Sequence, residues 1–578
     1  MGRFQYALLA YTGVSWAGDS METMLLSFLS VSVACAWPST VKPFQESLLT
    51  SVVFAGMLLG VYSLGAIADA VGRKKGFFLS ASLLGGAGLL SALAPNFTTL
   101  VCIRFVVGFA LGGTPIAVTL FSEFLPSTSR GAYVLLLQFC WTLGAVAQSL
   151  LAWIVLPHLG WRWLLVFSAV PMLLLLFCYP FLPESPHWLY ARGLHQQAYE
   201  VVSTVATVNA STATRRRQQQ QQTGHTSETH PGGAVTNTNT NNATHELAMF
   251  LAEIGSPTMG SPSRSPERIQ YDNGSGTDSS TLVRKIQRWS HFLRTTSGRI
   301  LAPHLATTTL LLWCIWFAHA LTYYGLVLLT TSLQQANKPK DERCTVGGAP
   351  NFTPSQYAAI VASAVAEAPG LAMAAFFVDR KGRLWCLRMG LLACTACVFG
   401  VLVCTSTSRS IASVQMALLI CARALIEGTF SVLYVYTPEL YPTAARSTGL
   451  ALCNCFSRMG GLCAPFATVF LVQQGKTRAA VVVLAGFLCA ATLAAWRLVT
   501  ETKGADLAGS GRRGSGGGGR MSAELAVEDH MCTDGGTECS TDVAAASGSD
   551  DTTGSKARGG GGEGAPLLRH EMASVSSS

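Results

Sequence analysis

The sequence predicts an all-α polytopic membrane protein, with twelve transmembrane helices in two pseudo-symmetric six-helix bundles. Three observations carry that expectation. The 578 residues are 49% hydrophobic and only 12% charged, too apolar for an ordinary soluble domain. The apolar residues gather into twelve stretches of about 20, the length that crosses a bilayer as a helix. The halves also repeat one another. Asp69, Gly72 and Arg73 recur at one constant offset as Asp379, Gly382 and Arg383, and Glu123-x-x-Pro126-x-x-x-Arg130 recurs as Glu439-x-x-Pro442-x-x-x-Arg446. Glu184-Ser-Pro set against Glu501-Thr-Lys extends the series more loosely. Repeated halves belong to carriers, whose substrate site lies between the repeats.

The expected spans are 7–35, 48–68, 77–93, 100–121, 132–156 and 163–181, then 301–331, 357–378, 384–403, 411–436, 447–472 and 479–499. They imply a first bundle over 1–182, a loop over 183–300, a second bundle over 301–500 and a tail over 501–578. The first span holds Asp19 and Glu22 and is too long for a signal-peptide core. Beginning almost inside that helix, the chain is expected to lack an N-terminal segment. Twelve spans put both termini on one side, which also collects Arg73, Lys74, Lys75, Arg130, Arg380, Lys381, Arg383 and Arg446. The positive-inside bias makes that side the cytoplasm. The net charge of +9 reflects the same bias and implies no nucleic-acid partner.

Between the spans, the turn 65–75 joins two apolar runs through three consecutive cations, and Gly72 suits a tight turn. The fourth span should bend at Gly112-Gly113-Thr114-Pro115. In the loop, 194–208 is a short helical candidate, and 211–280, with its Gln218–Gln222 run, reads as disordered. Residues 281–296 form a basic amphipathic stretch suited to an inner leaflet. The tail is rich in Gly and Ser, and Glu563, Leu567 and Leu568 fit an acidic dileucine signal for sorting adaptors. The outer loop near 334–355 carries Cys344 and an acceptor sequon at Asn351; the sequons at Asn209, Asn242 and Asn273 fall on the cytoplasmic side. Most of the 17 cysteines sit in spans. Even Cys394-x-x-Cys397 reads as packing, with no metal and no cofactor.

Charge inside a span is costly, so such residues face a cavity and work there. Asp19 and Glu22 share one face of the first helix, and Glu367 stands beside Pro369-Gly370 in the eighth. These three are the candidates for proton coupling and for a cationic substrate. Gln138 and Trp141 offer an amide beside an indole, and Tyr323 and Tyr324 offer aromatic faces. Arg104 and Arg458 permit an anion. Arg423 and Glu427, spaced i and i+4, are expected to neutralise each other.

The motifs resemble those of the major facilitator superfamily: Gly65…Asp69…Gly72-Arg73-Lys74, Glu123…Pro126…Arg130-Gly131, Pro183-Glu-Ser-Pro186 and Glu501-Thr-Lys-Gly504. Ala17–Ser27, Leu159–Leu165, Thr322–Thr331 and Tyr436–Arg446 are similar to the branch of plant organic cation/carnitine transporter-like and synaptic-vesicle two-related proteins, which includes bacterial nicotinate carriers. Ala375 stands where the second turn would repeat Gly65, and His187 replaces a usual Arg. The resemblance implies two bundles rocking about a central site, with no enzyme activity. It also implies cytoplasmic latches made of Asp69, Gly72, Arg73, Glu123 and Arg130, and of Asp379, Gly382, Arg383, Glu439 and Arg446. The expected function is secondary-active or facilitative transport of a small organic ion, a cation or a nicotinate-like monocarboxylate, coupled to protons. A sugar or polyol carrier and a non-transporting sensor are the alternatives. The expected setting is a monomer in a plasma, endosomal or vacuolar bilayer.

Overall fold

The computed structural model describes residues 2–125, 130–223, 301–336, 338, 342–345, 350–404, 409–441 and 446–503. Twelve of its helices are long and apolar enough to cross a membrane. They are α1 (Arg3–Ala36), α2 (Pro43–Val71), α3 (Arg73–Ala92), α4 (Phe97–Glu123), α5 (Leu136–Leu159) and α6 (Trp161–Phe181) in the first half. The second half has α7 (Leu305–Ala336), α8 (Pro354–Lys381), α9 (Arg383–Val403), α10 (Ser413–Leu440), α11 (Thr448–Gln473) and α12 (Thr477–Arg497). Each overlaps an expected span. Helix α4 is interrupted between Leu111 and Pro115, where the Gly-Gly-Thr-Pro sequence predicts a bend. Helix α8 breaks at Ala366, directly before Glu367.

The packing pattern is duplicated. Within the first half α1 packs on α5, α2 on α4 and α3 on α6; within the second, α7 packs on α11, α8 on α10 and α9 on α12. Small residues permit the α2–α4 and α8–α10 contacts, because a Cβ on Gly108 would strike the Val53 carbonyl and one on Gly370 would strike that of Ala424. Between halves the main seams are α2 on α11 and α5 on α8, again equivalent pairs. Large apolar side chains such as Leu59, Leu90, Phe177, Leu310 and Leu493 point outward from the helices, as a lipid-facing surface requires.

Two further helices follow α6: Pro186–Ala191 and His195–Thr223. The second returns to the start of α1, where Asn209 accepts a hydrogen bond from the Phe4 N–H at 3.2 Å and donates to Gln5 at 3.0 Å. It runs through the glutamine tract to Thr223, so the expectation of disorder from 211 onward is corrected over 211–223. Gln and Arg are good helix formers, and a helix already nucleated extends at little cost. The rest of the expected disordered insertion, the stretch 281–296, the sequons at Asn242 and Asn273, and the Glu563, Leu567 and Leu568 signal lie outside the described residues.

At one end of the bundle the two halves repeat the same turn. Gly72 and Gly382 hold φ of 114° and 101°, a region that only glycine enters cheaply. The Glu184 carboxylate lies over Gly72 and accepts from the Lys74 N–H at 3.0 Å. Glu501 lies over Gly382 and accepts from the Arg383 and Leu384 N–H groups at 2.9 and 3.0 Å. Each carboxylate thus caps the first turn of the helix that follows. The loose Glu184–Glu501 correspondence in the sequence is a matched pair of caps.

At the other end the halves are sealed together. Ser47 and Ser51 of α2 donate to the carbonyls of Pro465 and Leu462 on α11 at 3.3 and 2.8 Å. Trp153 of α5 stacks on Tyr357 of α8. A disulfide joins Cys35, at the end of α1, to Cys344 in the α7–α8 loop. The sequence places most cysteines in spans and puts Cys344 in the outer loop without assigning it a partner. Cys344 stood outside any span, and the missing half of that signal was Cys35 at a helix end on the same side.

Candidate functional site

The middle of the molecule, between the two halves, holds the buried charges. On α1, Asp19 is 4% exposed and its Oδ1 has no hydrogen-bond partner among the described residues. Its electrostatic neighbours are Thr114 at the α4 bend, Glu22, and Arg458 from the opposite half. One turn along, Glu22 is not free. It pairs with Arg104 of α4 at 2.8 Å, both groups fully buried. The i, i+3 face expected for Asp19 and Glu22 therefore splits its duties. Glu22 is bound within its own half, and Asp19 faces the seam.

In the second half Arg423 of α10 pairs with Glu367 of α8 at 2.8 Å, and its other nitrogens reach Ser363 at 3.3 Å and the Met24 sulfur at 3.6 Å. The expected Arg423–Glu427 neutralisation does not form. The break before Glu367 brings that carboxylate onto the guanidinium, leaving both oxygens of Glu427 without a partner among the described residues. Glu367 also accepts the Tyr323 hydroxyl at 3.1 Å, and that hydroxyl accepts the Trp141 indole N–H at 2.9 Å. A chain of bonds thus runs from α5 of the first half through Tyr323 to the Glu367–Arg423 pair.

Tyr324 is bonded on the other side, its hydroxyl accepting from Arg458 at 3.2 Å while its ring meets Phe54 of α2 at 4.6 Å. Gln138 accepts the Trp16 indole at 3.0 Å, and Trp16 lies 5.6 Å from Trp141. Of the expected site residues, Trp141, Tyr323, Glu367, Tyr324 and Arg458 are drawn into two hydrogen-bonded groups. Gln138 is held against α1 and Glu22 against α4. Sequence reasoning passed over Trp16, Phe54 and Thr114, each an ordinary packing residue by type. Between the groups remains a narrow cavity with room for little more than a water molecule, lined by Ser20, Thr23, Met24, Tyr323, Tyr324 and Arg423.

The expected latch residues also form two clusters. Arg73 pairs with Asp69 and, at 3.8 Å, with Glu123; Arg383 pairs with Asp379 and Glu439, each at 3.3 Å. Each of these pairs closes within one half. Arg446 is partly buried, with its Nε unpartnered among the described residues; the Arg130 side chain is outside them. Among the described residues no ion pair joins the two halves at this end, whereas a disulfide joins them at the other.

Comparisons with known proteins agree with this architecture. Residues 23–252 and 348–511 match the family described as "Sugar (and other) transporter". The chain is 35% identical over 88% of its length to "Organic cation/carnitine transporter 7" of Arabidopsis thaliana, covering 94% of that protein. It is 32% identical to "Synaptic vesicle 2-related protein" of Rattus norvegicus, over 89% of this chain and 81% of the other. It is 27% identical to "Niacin transporter NiaP" of Acinetobacter baylyi, over 82% and 88%. Among solved structures, the inward open conformation of the xylose transporter XylE from E. coli has the same fold. The TM-score is 0.62 at 15% identity, covering 87% of this chain and 98% of that one.

Proposed function

The chain belongs to the sugar (and other) transporter family of the major facilitator superfamily, and from that premise we propose that it carries a small organic ion across its membrane by alternating access. The observation that carries the proposal is the placing of Asp19 and Arg458 on opposite sides of the seam, near enough to act on each other electrostatically without forming an ion pair. Among the described residues, a carboxylate with one free oxygen and a guanidinium held by Tyr324 with its Nε free come from opposite halves, and the same central region holds the aromatic rings of Trp16, Trp141, Phe54, Tyr323 and Tyr324. An ammonium fits the carboxylate and the aromatic faces, and a carboxylate fits the guanidinium. A small zwitterion of the carnitine kind satisfies both ends at once, and a nicotinate-like acid uses the second. The organic cation/carnitine and niacin relatives support this class. For a hexose the site is less suited, because the amides of Gln138 and Asn454 are already bonded to Trp16 and Tyr434.

Because the ligand groups lie on opposite halves, occupancy bridges the seam and biases the rocking of one half on the other. We place the charged turns in the cytoplasm and the bridged end on the far side, the arrangement of an inward-facing state. Its central side chains have collapsed on one another, so entry of substrate requires Tyr323 and Tyr324 to move apart. A proton moving down the membrane potential would supply about 2.3 kcal/mol per 100 mV for uphill transport. Uptake of labelled carnitine, nicotinate and glucose by proteoliposomes tests the reading. Saturable, time-dependent accumulation of an organic ion supports it. Binding without accumulation would mark a sensor, and accumulation of glucose alone a sugar carrier.

A further inference from the structure

In the second half one guanidinium serves two buried carboxylates. Arg423 is committed to Glu367 at 2.8 Å, while Glu427, four residues on along the same helix and 1% exposed, has neither oxygen hydrogen-bonded among the described residues. The groups around Glu427 come from every helix packed on α10. Glu367 approaches from α8, Tyr323 and Tyr324 from α7 together with His319, whose Nε2 lies 2.9 Å from the Ile426 carbonyl, and Arg423 and Tyr434 from its own helix. Helix α11 adds Arg458, held on Tyr324. Helix α9 brings Cys394, whose thiol donates to the Ala422 carbonyl, and α5 brings Trp141, held on Tyr323. An ionised Glu427 would face the charge of Glu367 with no donor of its own, the costliest state for a buried carboxylate; a neutral acid avoids it.

We propose that Glu427 is the site where the carrier binds its coupled proton, with Arg423 changing partner as the site fills and empties. This rests on the transport reading above. In the filled state the Glu427 O–H is intact and Arg423 holds Glu367, the pairing seen in the structure. When the O–H bond breaks, its proton passes to a water admitted as the central side chains move apart, and the electron pair stays on the carboxylate. That carboxylate attracts Arg423 to the i+4 geometry, and Glu367 is left with the Tyr323 hydroxyl. Tyr323 is bonded to Trp141 of the other half, so the exchange is felt at the seam. Glu22 and Glu367, each already tied to an arginine, are thereby counterions, and Asp19 is left for substrate.

The experiment is pH-difference infrared spectroscopy of the full chain in lipid vesicles, which reads a neutral carboxylic acid whether or not a substrate is known. The wild type should show a buried-acid carbonyl band, absent in Glu427→Gln, shifted in Glu427→Asp and kept in Asp19→Asn. Should Glu427→Gln not fold, the shift in Glu427→Asp carries the assignment. In proteoliposomes with labelled carnitine, coupling one proton per substrate lets a one-unit pH gradient support about tenfold accumulation, which Glu427→Gln should abolish. A wild-type band that persists unchanged in both Glu427 variants, or no such band in the wild type, overturns the proposal. So does accumulation driven by a sodium gradient and indifferent to pH. If the band behaves as stated and no organic ion is transported, the carrier reading fails while the proton site stands.

Discussion

The carboxylate of Glu22 meets the guanidinium of Arg104 at 2.8 Å inside the first half, with both groups removed from solvent. Arg104 lies on α4 and Arg423 on α10, which are equivalent helices in the two repeats. Their carboxylates come from helices that are not equivalent, α1 in one half and α8 in the other. Each half therefore buries an arginine on the equivalent helix and supplies it with a counterion from a different element. Removing one member of such a pair strands the other in a low-dielectric interior, at a cost of about 3–5 kcal/mol. Glu22→Gln should lower unfolding stability in detergent by that order, and Glu22→Gln with Arg104→Met should recover much of it. Strictly additive losses would show that the pair is not the energetic unit.

The turns offer a paired prediction. A side chain at Gly72 or Gly382 meets both the positive φ and the carboxylate above it. Gly72→Ala and Gly382→Ala should each destabilise by about 1–3 kcal/mol, read as a shift in the thermal unfolding midpoint. Glu184→Ala and Glu501→Ala should each cost about 0.5–2 kcal/mol as lost helix caps. A large loss on one side and none on the other would contradict the equivalence of the two turns.

The bond from Cys35 to Cys344 joins the halves at their sealed end. Replacing both cysteines by serine should increase labelling of an introduced cysteine at Gln473, which lies 3.4 Å from Arg343 in that seal. The increase should persist with the other native cysteines removed. Labelling unchanged by the loss of the bond would mean that it tethers a loop without restraining the halves.

Asp19 and Arg458 should divide the recognition of charge. A charged hydrogen bond contributes about 1.5–3 kcal/mol, so Asp19→Asn should weaken carnitine binding by roughly that amount and affect nicotinate less. Arg458→Gln should do the reverse. Binding of labelled ligand to purified protein measures both. Equal effects of both substitutions on both ligands would remove the assignment of ends.

The number of spans, the duplicated turns and the bend in α4 were all legible in the sequence, because each depends on local composition or on a pattern repeated along the chain. Partner choice among the buried charges was not. Arg104 and Glu22 are 82 residues apart, and Arg423 and Glu367 are 56 apart. Helical spacing favoured Glu427 for Arg423, and only the break before Glu367 in the folded chain reverses that preference. The aromatic walls were half visible: Trp141, Tyr323 and Tyr324 carry polar handles that draw attention, whereas Phe54 and Trp16 join the site only through the folded contacts of Phe54 with Tyr324 and of Trp16 with Gln138 and Trp141.

The central claim is that the halves pivot, opening the α2–α11 seam so that the site between them meets the far side. Ser51 donates to the Leu462 carbonyl at 2.8 Å in that seam. A disulfide formed between cysteines introduced at these two positions, in a background lacking the native free thiols, should stop proteoliposome transport of the organic ion, and reduction should restore it. Full transport with the cross-link in place would contradict the account.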